Sequence, residues 1–130
     1  MTSRRQVAAL LFAAWSGVAL ATPTPAPIRA EIDALLARLQ SSGCQFHRNG
    51  TWYDGAKAKE HLLKKLKHIE RKVTLQSTEQ FIELAAATSS SSGKPYEVKC
   101  GTAAPVHSQQ WLTGELAKLR SSSATGKVSS

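Results

Sequence analysis

Cys44-Gln45-Phe46-His47-Arg48 and Tyr96-Glu97-Val98-Lys99-Cys100 each carry one of the chain's two cysteines, and reading them together decides the fold. The second run alternates in polarity after Pro95 and is β-prone; the first is closed by the turn pair Asn49-Gly50. If the two pair antiparallel with the cysteines opposite, each pair of residue numbers sums to 144, as 44 and 100 do. Phe46 then faces Val98, His47 faces Glu97 and Arg48 faces Tyr96. An apolar pair beside a His–Glu pair favours that register. Two strands alone are marginal in water, so helices must cover one face.

The flanking sequence supplies them. Ile28, Ile32, Leu35, Leu36 and Leu39 form a 3.6-residue stripe over Ile28 to Gln40, opened after Pro27 and stopped by Ser41-Ser42-Gly43. Asp54 is a cap for a second helix from Ala56 to about Val73, with Ala58, Leu62, Leu66, Ile69 and Val73 on one face. Lys57, Lys64, Lys65, His68, Arg71 and Lys72 occupy most of the remainder, either as a solvated outer face or as a surface for acidic partners or membrane. Ser77 and Gln80 make a capping box for a third helix through Thr88, packed by Phe81, Ile82, Leu84 and Ala85. Ser108 can cap a fourth, from about Gln109 to Arg120, with Trp111, Leu112, Leu116 and Leu119 inward. The expected fold is α+β: a small single domain over residues 28–120, about four helices on a two-stranded antiparallel sheet, with one disulfide. Residues 22–27 read as a Pro-rich linker and residues 121–130 as a disordered tail.

The N-terminus bears on compartment. Arg4 and Arg5 precede an apolar run from Val7 to Val18, and Ala19-Leu20-Ala21 offers small residues for cleavage, so residues 1–21 read as a signal peptide. The run is shorter than the roughly 20 apolar residues of a membrane span; an uncleaved anchor is the alternative. The expected location is periplasmic or secreted, with no transmembrane segment after cleavage. Of the 17 Lys and Arg, removing Arg4 and Arg5 leaves 15 against 9 Asp and Glu, a net charge of +6. Such a surface favours anionic partners without naming one. In an oxidising compartment Cys44 and Cys100, 56 positions apart, read as a structural disulfide, with free thiols or an intermolecular link as alternatives. His47, His61, His68 and His107 are scattered relative to the cysteines, so neither a metal nor any other cofactor is expected.

A resemblance follows from several short strings. Phe46-His47-Arg48-Asn49-Gly50-Thr51-Trp52-Tyr53, Ala58-Lys59-Glu60-His61-Leu62 with Lys65, Phe81-Ile82, Ser92-Gly93-Lys94-Pro95-Tyr96 and Trp111-Leu112 together resemble the YfeK-like family of small exported bacterial proteins. The likeness covers about Ala30 to Arg120. It implies a periplasmic or secreted protein carrying a domain of unknown function, with no established activity or catalytic residues. The cysteine pair is not part of that pattern.

The strand register suggests where a site lies. Arg48 and Asn49 leave the first strand where Lys94 and Tyr96 enter the second, so two loops carrying cations become neighbours. Arg48, Asn49, Ser92, Lys94 and Tyr96, with His61 reaching over from the second helix, make an expected ligand-binding set for carboxylate or phosphate. The same residues also read as turn chemistry, with Arg48 stacked on Tyr96. Ser92-Gly93-Lys94 is not a phosphate loop, because the first Gly of that motif is absent and Pro95 stands where Ser or Thr is needed. Nor does the sequence assemble a catalytic nucleophile, base and orienting acid. The favoured function is a non-enzymatic binding or interaction module for an anionic or protein ligand of the cell envelope. A small hydrolase-like enzyme using His61 and the Ser/Lys loop is the alternative, and no motif for specific nucleic-acid binding accompanies the charge.

Overall fold

Apolar stripes and caps place the helices in this computed structural model, which describes residues 22–129, with side chains through Ser123. The expected signal peptide lies outside the described residues. The elements are α1 (Ala26–Ser41), β1 (Gln45–Arg48), β2 (Thr51–Tyr53), α2 (Gly55–Glu70), α3 (Thr78–Ala85), β3 (Glu97–Lys99), β4 (Val106–His107) and α4 (Ser108–Ser129). Asp54 caps α2 by accepting from the Lys57 amide at 2.9 Å. Ser77 does the same for α3 through the Gln80 amide at 3.1 Å, while the Gln80 side chain accepts from the Gln76 amide.

β1 and β3 pair antiparallel as Gln45↔Lys99, Phe46↔Val98 and His47↔Glu97, the register expected from the cysteines. Cys44 and Cys100 are bonded, their Cα atoms 4.2 Å apart. The sheet, however, has four strands rather than two, in the order β2-β1-β3-β4. Asn49 and Gly50 both take positive φ, 48° and 86°, the backbone of a two-residue type I′ turn that matches strand twist. Instead of merely ending β1, the pair folds it directly onto β2, with His47 opposite Trp52 and Phe46 opposite Tyr53. β4 completes the other edge, with Val106 against Val98 and His107 against Glu97.

The core lies between one sheet face and the helices. Ile32, Leu35, Leu36 and Leu39 of α1, Leu62 and Leu66 of α2, Phe81 and Ile82 of α3, and Leu112 and Leu116 of α4 close over Phe46, Tyr96 and Val98. Arg120 of α4 ties three helices together by donating to Glu31 of α1 and Glu79 of α3. The opposite sheet face carries a row of Trp52, His47, Glu97 and His107, each paired with the next across adjacent strands.

Several boundaries differ from the periodic reading. α2 stops at Glu70, where the Lys72 and Val73 amides both bond the Ile69 carbonyl; Val73 is left 37% exposed and Leu75 is buried instead. α3 stops at Ala85, because the chain beyond it peels away so that the Ala87 carbonyl can accept from the Tyr96 amide at 3.0 Å. Leu84, expected inward, is 43% exposed on the side of α3 away from Phe81, Ile82 and Ala85. The expected linker at residues 22–27 is docked: the Thr22 amide bonds Thr74 Oγ1 at 2.8 Å, Thr24 Oγ1 bonds the Glu70 carboxylate, and α1 already begins at Ala26. Ser108 is the first residue of α4, and its buried hydroxyl has no partner among the described residues; its amide instead bonds the Tyr96 carbonyl. The backbone of α4 continues to Ser129, past the expected end near Arg120, with no proline to interrupt it.

Candidate functional site

Alternation along β1 decides which side chains meet. Phe46 and Arg48 point toward the helices, His47 toward the open face. Arg48 therefore lines a cavity of about 230 Å³ between the β1–β2 hairpin and the first half of α2, with Tyr53, Lys57, Glu60, His61 and Lys64. The Arg48 guanidinium lies 5.3 Å from the centroid of the Tyr53 ring, so its aromatic partner is Tyr53 and not Tyr96. Lys57 and Lys64 stand 4.0 and 3.9 Å from the Glu60 carboxylate.

Behind this cavity a buried chain of polar groups is satisfied internally. The Tyr96 ring is 1% exposed. Its hydroxyl lies 2.9 Å from His61 Nε2 and accepts from Lys65 Nζ at 3.1 Å, while Lys65 also donates to the Thr88 carbonyl at 2.9 Å. With Lys65 donating, the Tyr96 proton is free to go to His61 Nε2, which requires a neutral imidazole. The electrostatics agree. Burial, and then the charges of Arg48, Lys65 and Lys64, lower the His61 pKa to about 4. Burial likewise lowers the Lys65 pKa, aided by Arg48, and raises that of Tyr96 against the pull of Arg48.

This arrangement has a consequence for stability. The unfolded chain binds a proton at an ordinary histidine near pH 6.5, but the folded chain does not until about pH 4. The contribution of neutral His61 is complete above pH 6.5 and is lost as pH falls toward 4. Unfolding by urea between pH 7 and 4 is expected to show a loss of about 1–2 kcal/mol that disappears in His61→Gln, a figure discounted because the ring is partly solvated. An unchanged slope in that variant would remove His61 as the source.

The remaining expected site residues lie on the other side of the sheet. Asn49, Ser92 and Lys94, with His47, Glu97 and His107, border an open cavity of about 640 Å³. The two loops do converge: the Asn49 side chain donates to Ser91 Oγ at 3.3 Å and accepts from Ser92 Oγ at 2.8 Å. Lys94 and Arg48 nonetheless border different cavities, because Arg48 keeps the inward parity of Phe46. The six expected residues thus divide into Arg48, His61 and Tyr96 inside and Asn49, Ser92 and Lys94 outside. On the open face His47 Nδ1 is 3.6 Å from Glu97 Oε1, its ring is 4.8 Å from that of Trp52, and Lys99 Nζ lies 5.2 Å from the same Trp52 ring.

Tyr53, Lys57, Lys64 and Lys65 were not in the expected set. Reading Asn49-Gly50 as a hairpin turn would have brought Tyr53 opposite Phe46 and onto the Arg48 side, and the basic face of α2 supplies the lysines. Among the described residues, no three His, Cys, Asp or Glu side chains are grouped to hold a metal ion, and no helix is long and apolar enough to cross a membrane. A family model described as a family of unknown function (DUF5329) matches residues 26–120. No curated protein matches the chain, and no solved structure matches it.

Proposed function

We propose that this chain, which belongs to DUF5329, a family of unknown function, is a non-enzymatic binding module of the cell envelope whose anion-accepting site is the Arg48 cavity. The observation that carries this reading is a charge imbalance. Arg48, Lys57, Lys64 and Lys65 surround His61, and Glu60 is the one carboxylate lining the same cavity. Among the described residues Arg48 has no ion-pair partner, and its planar donor fork is held by Tyr53 at the cavity wall. The YfeK-like resemblance, the expected signal peptide and the disulfide support an exported location for this module.

An enzymatic role for His61 fits the geometry less well. A general base needs a free lone pair within reach of the proton it abstracts, and Nε2 of His61 is engaged by the Tyr96 hydroxyl. Of the serine loop, Ser91 and Ser92 are bonded to Asn49 on the other side of the sheet, and Ser90 alone borders a cavity that His61 also lines.

Calorimetric titration with inorganic phosphate tests the binding site directly. Arg48→Ala is expected to weaken binding at least tenfold, the loss of a charge-assisted hydrogen bond being about 1.5–3 kcal/mol. Lys94→Ala, on the open face, is expected to leave the affinity within twofold. Equal affinity in wild type and Arg48→Ala would overturn the assignment.

A further inference from the structure

A second, more apolar cavity adjoins the Arg48 site. It measures about 280 Å³, and its lining includes His61, Lys64, Lys65, His68, Ile69 and Leu84. His61 and Lys64 also line the Arg48 cavity, so the two meet along the outward face of α2. Leu84 is 43% exposed and, with Val73 at 37%, is one of the two large apolar side chains left exposed among the described residues. Ile69 is partly buried against the core. Lys65 turns its ammonium inward to Tyr96 and Thr88, which leaves its aliphatic stem beside the cavity wall. This second cavity has no carboxylate in its lining.

An apolar floor beside a cation cluster suits one kind of occupant. A peptide laid there would bring several amide groups that need partners; Ile69 and Leu84 offer none, which leaves only Ser90 and His68 beside the lysines and the already engaged His61. A hydrocarbon chain needs none, while an anionic group at its end meets Arg48 and Lys64. We propose that the site takes an amphiphilic anion as a single molecule, its phosphate or carboxylate head between Arg48 and Lys64 and its alkyl chain across Ile69 and Leu84. This inference rests on the anion-binding reading of the Arg48 cavity and adds the class of ligand.

Titrations of the folded, oxidised protein with inorganic phosphate and with butyl, hexyl and octyl phosphate, all kept below micelle formation, separate the two claims. Affinity is expected to rise about fourfold per methylene until the cavity is filled, following the transfer of each CH₂ out of water. Leu84→Ser should flatten that series while leaving inorganic phosphate unchanged, and Val73→Ser, exposed but outside the cavity, should leave the whole series unchanged. Phosphate binding that depends on Arg48 without any dependence on chain length would overturn this inference and leave the anion site standing. Octyl phosphate binding equally well to Arg48→Ala would overturn the anion site itself. Binding that begins only when micelles form would overturn the single-molecule occupant in favour of adsorption to an aggregate surface.

Discussion

Replacing Cys44 and Cys100 together by alanine is expected to lower the unfolding free energy by about 4 kcal/mol. The two residues are 56 apart in sequence and bonded across the end of the β1–β3 ladder. In the unfolded chain the bond closes that long loop and removes much of its freedom; in the folded chain the register of β1 and β3 already brings the cysteines opposite. Cys44 is only 6% exposed and packs with the core, so its loss adds a small packing defect. Urea midpoints of the oxidised protein, the reduced protein and the double variant measure the effect. For a domain of this size the corresponding fall in Tm is about 15–30 °C. A difference below about 1 kcal/mol between oxidised and reduced protein would mean that the unfolded chain retains this contact without the bond.

Gly55→Ala is expected to destabilise the fold by about 3 kcal/mol, at the upper end of what overpacking costs. Gly55 opens α2 where that helix starts against the end of α1. A Cβ there meets the Leu39 carbonyl oxygen at 2.5 Å, Gln40 Cα at 2.8 Å and the Gln40 carbonyl oxygen at 2.9 Å. All three are backbone atoms, so no side-chain rotation relieves the clash and the two helices must separate. Gly114→Ala supplies the opposite sign. Gly114 lies within α4 with nothing within 4 Å of an added Cβ, so alanine there should stabilise by about 1 kcal/mol through helix propensity and reduced freedom of the unfolded chain. A Gly55→Ala variant as stable as the wild type would mean that the close approach of α1 and α2 is wrong, and a destabilised Gly114→Ala would mean that the space beside Gly114 is filled.

The β1–β3 register was legible because two constraints coincided: the cysteines set one pair, and Phe46–Val98 and His47–Glu97 fell into favourable pairs around it. The helices were legible because their stripes were long enough to show a period. β2 was harder, since Thr51-Trp52-Tyr53 is too short to show alternation and only the positive-φ requirement of Asn49-Gly50 announces it. β4 contributes two residues, too few for any pattern. Val73 and Leu84 misled for a related reason. A stripe can be extended by one more apolar residue without any sign that the helix has ended or that the neighbouring face is open. Within the candidate site, proximity of the two loops was legible from register, whereas the side of the sheet each residue takes is set by strand parity. Arg48 shares the parity of Phe46, and that places it with His61 and the α2 lysines rather than with Lys94.

The disulfide also divides the chain topologically. Residues 44–100 form a covalent ring that contains β1, β2, α2, α3 and β3, while α1 and α4 are arms outside it. The arms hold each other through Arg38 with Glu115 and Arg120 with Glu31. Tension applied to the two ends of the domain is therefore carried by the arms, passes across the sulfur–sulfur link and bypasses the ring backbone. α1 and α4 can be peeled off while a length of roughly 190 Å of chain stays hidden inside the ring. The ring contains the side chains of the Arg48 cavity, from Phe46 to Lys64, so a mechanical load on the ends does not run through the hairpin and helix that form it.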